Sequence, residues 1–508
     1  MHRWLRRDRH RHTSTPPPSS RRGRGRSGIY GVNGGTTPTG TRGPSMAMDY
    51  FTDERHESLR AEVREFAEKE VRPQVARMEA DREIEFELSR EIARRGWIGV
   101  TIPREFGGLG LGHLAKTIIV EELARVSGAM GAMAQASQLG VAKVIHFGSD
   151  AQRRAWLPKF ASGECLPTIA VTEPESGGHV LGMAGTARRE GDEYVLNGRK
   201  VFVGNSHIGD VHGVVFRTDR GSKGLSAFLV ESDRPGFRTG AVGTQGGLHG
   251  FSFGELVFED CRIPVGNRLA EEGQGLDVAY SSSTLYGRLN LGAVALGIHV
   301  AVVEDTVRYA EERVLYGKPI GQLNSIALKL GEMQSRLMTA KLAAYHASHL
   351  LDRGKACDAE LMNAKLINTE YAMDSARQAM EIFAARGTQE EHNIIRYLRD
   401  ATHIYAPAGT SDVQKLRLGQ VAAGTYGKQW SDELSDLTSW AWTELNQLES
   451  GAAAASTVST GFAGSVAPAA SAGSAASAAS AASAASAASA VDGRYRRYGR
   501  VVPLSAAS

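Results

Sequence analysis

The stretch IYAPAGTSDVQKL, residues 404–416, places a phenol (Tyr405), a hydroxyl (Thr410), a carboxylate (Asp412) and an amide (Gln414) close together. Thr410 directly precedes a run with helical spacing, so its hydroxyl can serve either as a helix N-cap or as a ligand contact. Tyr405 is a weak base near neutral pH, because a phenol titrates near about 10. In YAEERVLYGKPIG, residues 309–321, the guanidinium of Arg313 can grip two oxygens of a pyrophosphate or pair with a nearby acid. In VTEPESGGHV, residues 171–180, Thr172 offers a hydroxyl to a ligand or shapes the turn before Pro174. Other chemistries are excluded. EFGGLGLG, residues 105–112, follows no strand and lacks the Lys-Ser/Thr of a phosphate-binding loop, so it reads as a turn between helices. Cys165, Cys261 and Cys357 are far apart with no CxxC pair, which argues against a zinc site or a disulfide framework and for a reducing compartment, the cytoplasm.

These side chains need a scaffold, and 508 residues suffice for several domains. Hydrophobic residues at 42% and charged residues at 23% fit a globular protein with substantial cores. The net charge of +3 is uneven: residues 1–45 hold ten Arg against one Asp, and 449–508 hold four Arg against two acids, leaving −8 on the body. The first tail has no apolar h-region and too little apolar content to pack. Residues 1–48 therefore read as a disordered basic extension, with Met46 and Met48 as later starts just before a good helix. No nucleic-acid partner is expected from it. The Ala/Ser repeat within 426–508 gives no apolar face and reads as a low-complexity C-terminal extension. No run of 18 apolar residues occurs, so no membrane span is expected.

Apolar residues at Leu59, Val63, Phe66 and Val71 follow helical spacing up to Pro73, and similar patterns fill residues 49–164. The period changes in 165–268. There Asn197-Gly198 lies between two apolar runs, a hairpin signal, and VHGVVFRT, GLSAFLVES and GELVFEDCRIP read as further strands. Helical periods return over 269–425, with helices from near Ser281, around Ile326–Leu337, at 358–386 and at 411–422. The expected class is α+β: an N-terminal helical domain, a middle antiparallel β domain and a C-terminal four-helix bundle. A cleft between a β domain and a bundle is a usual place for a large cofactor.

This order, with VTEPESGGHV, NGRKVFVGN (197–205), ELVFEDCRIP (255–264), YAEERVLYGKPIG, YLRDA (397–401) and GTSDVQ (409–414), resembles the acyl-CoA dehydrogenase superfamily over about residues 50–425. The resemblance implies FAD. It implies that Val171 and Thr172 line the flavin, Gly178 meets the pyrophosphate, and Phe202 and Gly204 lie along the ring. Arg313 would reach the FAD of a neighbouring subunit, and Thr410 and Gln414 complete the flavin side. It also implies a homo-oligomer, dimer or tetramer, and an electron acceptor, either an electron-transfer flavoprotein or oxygen.

In that family a carboxylate removes the α-proton of an acyl thioester. It stands either before Gly-Thr, here Ala408, or on the first bundle helix before an Arg, here Gly287 before Arg288. Neither position carries one, and the interval from Tyr405 to Gly409 is two residues longer than in the family pattern. Phe202 and Gly204 replace the usual Trp and Thr, Gly178 replaces a Ser, and EIFAA (Glu381–Ala385) replaces the Gln-x-x-Gly-Gly run. Tyr286, Tyr405 and Asp412 are the nearby side chains that could substitute for the base. The expected function is oxidation of an acyl-CoA or a carrier-protein-bound acyl group, in a role suited to secondary metabolism. The alternatives are a flavin-dependent monooxygenase or oxidase on the same fold, and a non-catalytic subunit.

Overall fold

Leu59, Val63 and Phe66 share one face of α1 (Glu54–Phe66), and the computed structural model, which describes residues 50–221 and 223–447, buries all three. Asp53 opens this helix with a capping box shared with His56. As expected from Pro73, the helix ends in a π turn, Ala67–Val71, and a 3-10 turn, Arg72–Gln74. The N-terminal region continues through α2 (Val75–Asp81), α3 (Phe86–Arg94), α4 (Gly112–Val126), α5 (Gly128–Phe147) and α6 (Asp150–Ala161). The glycine-rich EFGGLGLG is the turn that leads into α4, with Gly107, Gly110 and Gly112 all at positive φ. The basic extension assigned to 1–48 and the Ala/Ser repeat lie outside the described residues.

Eight strands follow: β1 (Pro167–Ala170), β2 (Thr186–Glu190), β3 (Glu193–Gly204), β4 (Val211–Arg217), β5 (Leu225–Glu231), β6 (Phe237–Val242), β7 (Phe253–Pro264) and β8 (Arg268–Leu269). The sheet order is β6-β7-β3-β2-β4-β5-β8, mostly antiparallel, with β1 added parallel to β4. Its core packs Tyr194, Leu196, Phe216, Phe228, Leu256 and Phe258. One expectation is corrected. Asn197-Gly198 is not a hairpin turn but lies within β3, at a register shift against β7. The Asn197 side chain accepts from the Asp260 amide at 2.8 Å and donates to its carboxylate at 3.0 Å. A Cβ on Gly198 would stand 2.9 Å from Gly185 and 3.0 Å from the Phe216 ring. The dipeptide thus builds a bulge, with glycine admitted by close approach as well as by φ.

The bundle begins with α7 (Gly275–Ser282), passes through a π turn at Ser283–Arg288 and continues as α8 (Leu289–Glu312), α9 (Asn324–Asp352), α10 (Asp358–Phe383), α11 (Ile394–His403) and α12 (Ser411–Ala422). The span Gly275–Glu312 is long and apolar enough to cross a membrane by composition, yet it is buried inside the protein as a core helix. Buried acids stitch the layers together. Glu122 on α4 accepts from Arg60 and Arg64 of α1 at 2.9 Å each, and Glu121 accepts from Tyr345 and Lys341 of α9 at 2.5 and 2.9 Å.

The described part of the C-terminal extension packs onto the bundle. Asp358, fully buried at the start of α10, accepts from the Tyr426 hydroxyl (3.1 Å), the Trp430 amide (3.0 Å), the Ser431 amide (2.9 Å) and the Ser431 hydroxyl (2.6 Å). Trp430 inserts among Leu285, Leu289, Leu351 and Leu361. Asp358→Ala would strand these donors without water, so its unfolding free energy should fall by about 3 kcal/mol. A denaturant titration checks this, and a loss below about 1 kcal/mol would contradict the clasp.

Candidate functional site

Gly287 and Ala408, the two positions where a carboxylate was expected, meet in space. A Cβ on Gly287 would lie 3.4 Å from the Cβ of Ala408 and 3.7 Å from the Ser283 hydroxyl. The π turn carries Gly287 to this point, and the loop after α11 brings Ala408. That loop is held tightly. Ala408 and Gly409 both have positive φ, at 54° and 95°. The Gln414 amide donates to the carbonyls of Ala408 (2.9 Å) and Gly409 (3.1 Å). Lys365, buried on α10, donates to the carbonyls of Tyr405 (2.6 Å) and Gly409 (2.8 Å). Burial, opposed by Glu370 and reinforced by Arg288, pulls the Lys365 ammonium down to about 8. Arg288, only 7% exposed, donates to the Thr284 hydroxyl at 2.9 Å, while its Nε has no acceptor. Burial lowers its pKa against the pull of Tyr426 and Asp358.

None of the three substitute bases stands at this meeting point. Tyr286 is buried with Lys116 Nζ 3.9 Å from its ring centre and the His113 ring edge-on, and its hydroxyl donates to Thr101 at 3.3 Å. Burial pushes its phenol well above the ordinary range, in keeping with a core side chain. The Tyr405 hydroxyl donates to Glu370 at 3.3 Å. The Asp412 side chain is 94% exposed, with Lys415 at 3.9 Å.

On the sheet side, the Val171–Thr172 segment is anchored by the next residue. The Glu173 carboxylate, buried, accepts from Lys200 (2.7 Å) and from the amides of Ala184 (2.6 Å) and Gly185 (3.1 Å). The Thr172 carbonyl accepts from the Val201 amide at 2.9 Å. Phe202 sits at a bulge of β3 with φ 57° and is 69% exposed, a strained and wasteful placement for a phenyl ring unless a ligand covers it. Phe253 stacks on it at 6.0 Å and on Phe251 at 5.8 Å. A Cβ on Gly204 would come within 3.0 Å of the Phe251 ring and of Ala136, so the space beside Gly204 is taken by an aromatic neighbour. Gly178 faces open space.

The two sides are tied together. Phe253 meets the His403 ring edge-on at 5.2 Å, and Asp400 accepts from the Leu248 amide at 2.6 Å. Thr410 occupies the N-cap position of α12 but makes no capping bond, which leaves its hydroxyl unspent. Arg313, half-buried at the end of α8, forms no ion pair among the described residues, so the intrachain alternative for it is absent there. Sequence reasoning missed Lys365, Asp358 and His403. A Lys or Asp at a helix position that the apolar period assigns to the core is the signal that could have found the first two.

Comparison with known proteins bears on the fold and the family. The acyl-CoA dehydrogenase N-terminal domain matches residues 53–164, the middle domain 168–261 and the C-terminal domain 273–423. An acyl-CoA dehydrogenase of Bacillus subtilis (strain 168) is 34% identical over 371 residues, 72% of this chain and 97% of that protein. Butyryl-CoA dehydrogenase from Megasphaera elsdenii superposes with a TM-score of 0.72 at 30% identity, covering 74% of this chain and 100% of its own. The FAD complex of PigA superposes with a TM-score of 0.71 at 28% identity, covering 75% and 100%. Three matched domains in the order of the helices, sheet and bundle described above leave one assignment: the chain belongs to the acyl-CoA dehydrogenase family.

Proposed function

We propose that this protein is a FAD-dependent oxidoreductase acting on an acyl thioester, borne by CoA or by a carrier protein, whose cleft has given up the protein carboxylate. The observation that carries this reading is that Gly287 and Ala408, neither with an atom beyond Cβ, lie in contact with each other. The residues present fit FAD. Phe202 is an exposed ring in strained backbone, Gly178 leaves room for a phosphate, and the Thr410 hydroxyl and Gln414 Oε1 have no partner among the described residues. Val171, Thr172, Gly178, Phe202, Gly204, Thr410 and Gln414 would hold the flavin of one subunit, and Arg313 the pyrophosphate of another. When bound, FAD would supply the hydride acceptor. Lys365 and Gln414 keep the Ala408 loop fixed, and Glu173 with Lys200 keeps the Val171–Thr172 segment fixed.

Val314, Leu315 and Tyr316 beside Arg313, and Leu328 and Met338 on α9, are exposed apolar residues that suit contact between copies. The proposed working form is a homo-oligomer, with the cytoplasm as its compartment and an electron-transfer flavoprotein or oxygen as its electron acceptor. Arg313→Ala should weaken FAD retention about tenfold or more while leaving the melting temperature of the apoprotein unchanged. Visible spectra after FAD reconstitution and dialysis check this, and full retention would contradict the shared site. Anaerobic mixing with acyl-CoA and acyl-carrier substrates tests the reaction through flavin bleaching. The crowding of Gly204 by Phe251 favours a second reading, a flavin monooxygenase, or an oxidase of a substrate other than a thioester, which predicts no bleaching by any thioester but oxygen consumption by the reduced flavin.

A further inference from the structure

His403 makes no hydrogen bond among the described residues, although it lies where the bundle meets the sheet. It ends α11, and the chain runs on from it to Ala408, Thr410 and Gln414. From the sheet side, Phe253 meets its ring edge-on at 5.2 Å and also stacks on the exposed ring of Phe202. The Nδ1 of His403 is closed off from solvent without a partner, whereas the half-buried ring keeps Nε2 accessible. The other polar groups at this junction are spent. Asp400 accepts from the Leu248 amide, and His249 pairs with Glu79 at 3.0 Å. Arg399 donates to the same Glu79, and the Tyr405 hydroxyl donates to Glu370. Burial and the neighbouring His249 lower the His403 pKa, so the ring is neutral near neutral pH. A neutral imidazole carries a single N–H. An orphaned N–H is rarer in protein interiors than an orphaned acceptor, which puts the proton on Nε2 and a bare lone pair on the buried Nδ1. The accessible nitrogen is therefore a donor without an acceptor among the described residues.

We propose that His403 faces bound FAD and donates its Nε2–H to an acceptor on the flavin ring, which raises the cofactor's readiness to take electrons. This rests on the FAD reading above. Phe202 and the Thr410–Gln414 segment are the two walls proposed to hold the ring, and His403 joins them, through Phe253 on one side and through the chain on the other. A three-ring flavin is long enough to lie over Phe202 and reach past Phe253. Reduction adds negative charge to the ring, and a hydrogen bond to a charged acceptor is roughly twice as strong as one to a neutral acceptor. The donor thus holds the reduced cofactor more tightly than the oxidised one.

The test compares FAD-reconstituted wild type with three variants. His403→Phe keeps an aromatic ring against Phe253 and removes the donor, His403→Leu removes both, and His403→Gln returns an N–H close to the Nε2 position. Fluorescence of released FAD gives the affinity for the oxidised cofactor. Anaerobic potentiometric titration against a reference dye gives the midpoint potential of the bound cofactor, and with it the affinity for the reduced form. The Phe and Leu variants should hold oxidised FAD about threefold less tightly and reduced FAD about thirtyfold less tightly, so the bound cofactor becomes harder to reduce. His403→Gln should recover most of both losses. Thermal melting of the apoproteins verifies that each variant is folded. Loss of both forms by the same factor marks a packing role and overturns the proposal, as does a Gln variant no better than Phe. A potential and affinity unchanged in all three variants overturn it while leaving the FAD reading intact. Wild type that takes up no FAD removes the FAD reading and the proposal together.

Discussion

Gly287→Glu should raise the rate of deuterium exchange at the α-carbon of butyryl-CoA by about 10²–10⁴ over wild type, the usual worth of a positioned general base. The geometry favours this position over its counterpart. Gly287 lies on a π turn with ordinary helical backbone, and a side chain there starts 3.4 Å from the Ala408 Cβ, its nearest contact. Ala408 has φ 54° in a loop pinned by Lys365 and Gln414, so a longer side chain adds strain where the backbone is already unfavourable. Exchange needs only binding and proton removal, so it separates restoration of the base from hydride transfer. Exchange followed by NMR in deuterated buffer measures the gain, with wild type as control. If wild type already exchanges at the rate of the variant, a base exists elsewhere, and Tyr405 and Asp412 are changed next. If neither exchanges, the cleft does not take acyl thioesters in the assumed pose.

Much of the scaffold was legible because its signals are local. The helical spacing of Leu59, Val63 and Phe66, the turn in EFGGLGLG and the Pro73 stop all depend on neighbours within a few residues. Asn197-Gly198 misled for the same reason. The dipeptide suits both a hairpin and a bulge, and the choice was made by β7 and by the approach of Gly185 and Phe216, which no local window contains. The two vacant base positions were legible as absences. That they touch is a tertiary fact, produced by the π turn and by the loop after α11. Tyr286 adjoins Gly287 in sequence, yet its ring is turned among Lys116, His113 and His146, because successive residues of a helix face different sides. Lys365 and Asp358 were hidden because a polar residue on a helix is read as solvent-facing unless its partners are known.

Glu173→Ala should cost about 3–5 kcal/mol of stability near neutral pH and loosen FAD binding with it. Lys200 is fully buried on β3 and Glu173 is 4% exposed. Their 2.7 Å contact is supported by a cation over the Phe216 ring at 4.3 Å and by the Val171 carbonyl at 3.4 Å. Removing Glu173 leaves an ammonium in a cavity with a carbonyl and a ring for company, and frees the amides of Ala184 and Gly185 that the carboxylate had satisfied. Because Val171 and Thr172 directly precede Glu173, the loss is transmitted to the segment proposed to line the flavin. Burial already brings the Lys200 pKa down to about 8, and losing Glu173 lowers it further. The folded variant therefore binds fewer protons than the unfolded chain up to the ordinary lysine pKa near 10.4, and its stability rises with pH across that window. Wild-type Lys200, at about 8, gives the same rise above that pH, so the deficit relative to wild type should shrink as pH rises toward about 8 and stay level from there to about pH 10. Glu173→Leu combined with Lys200→Met removes both charges and should recover a large share of the loss, leaving the two unpaired amides as the remainder. Denaturant titrations of the single and double variants across that pH range separate the charge from the amides. A deficit that stays constant as pH rises toward about 8, or a double variant no better than the single, would show that the carboxylate acts through the Ala184 and Gly185 amides alone.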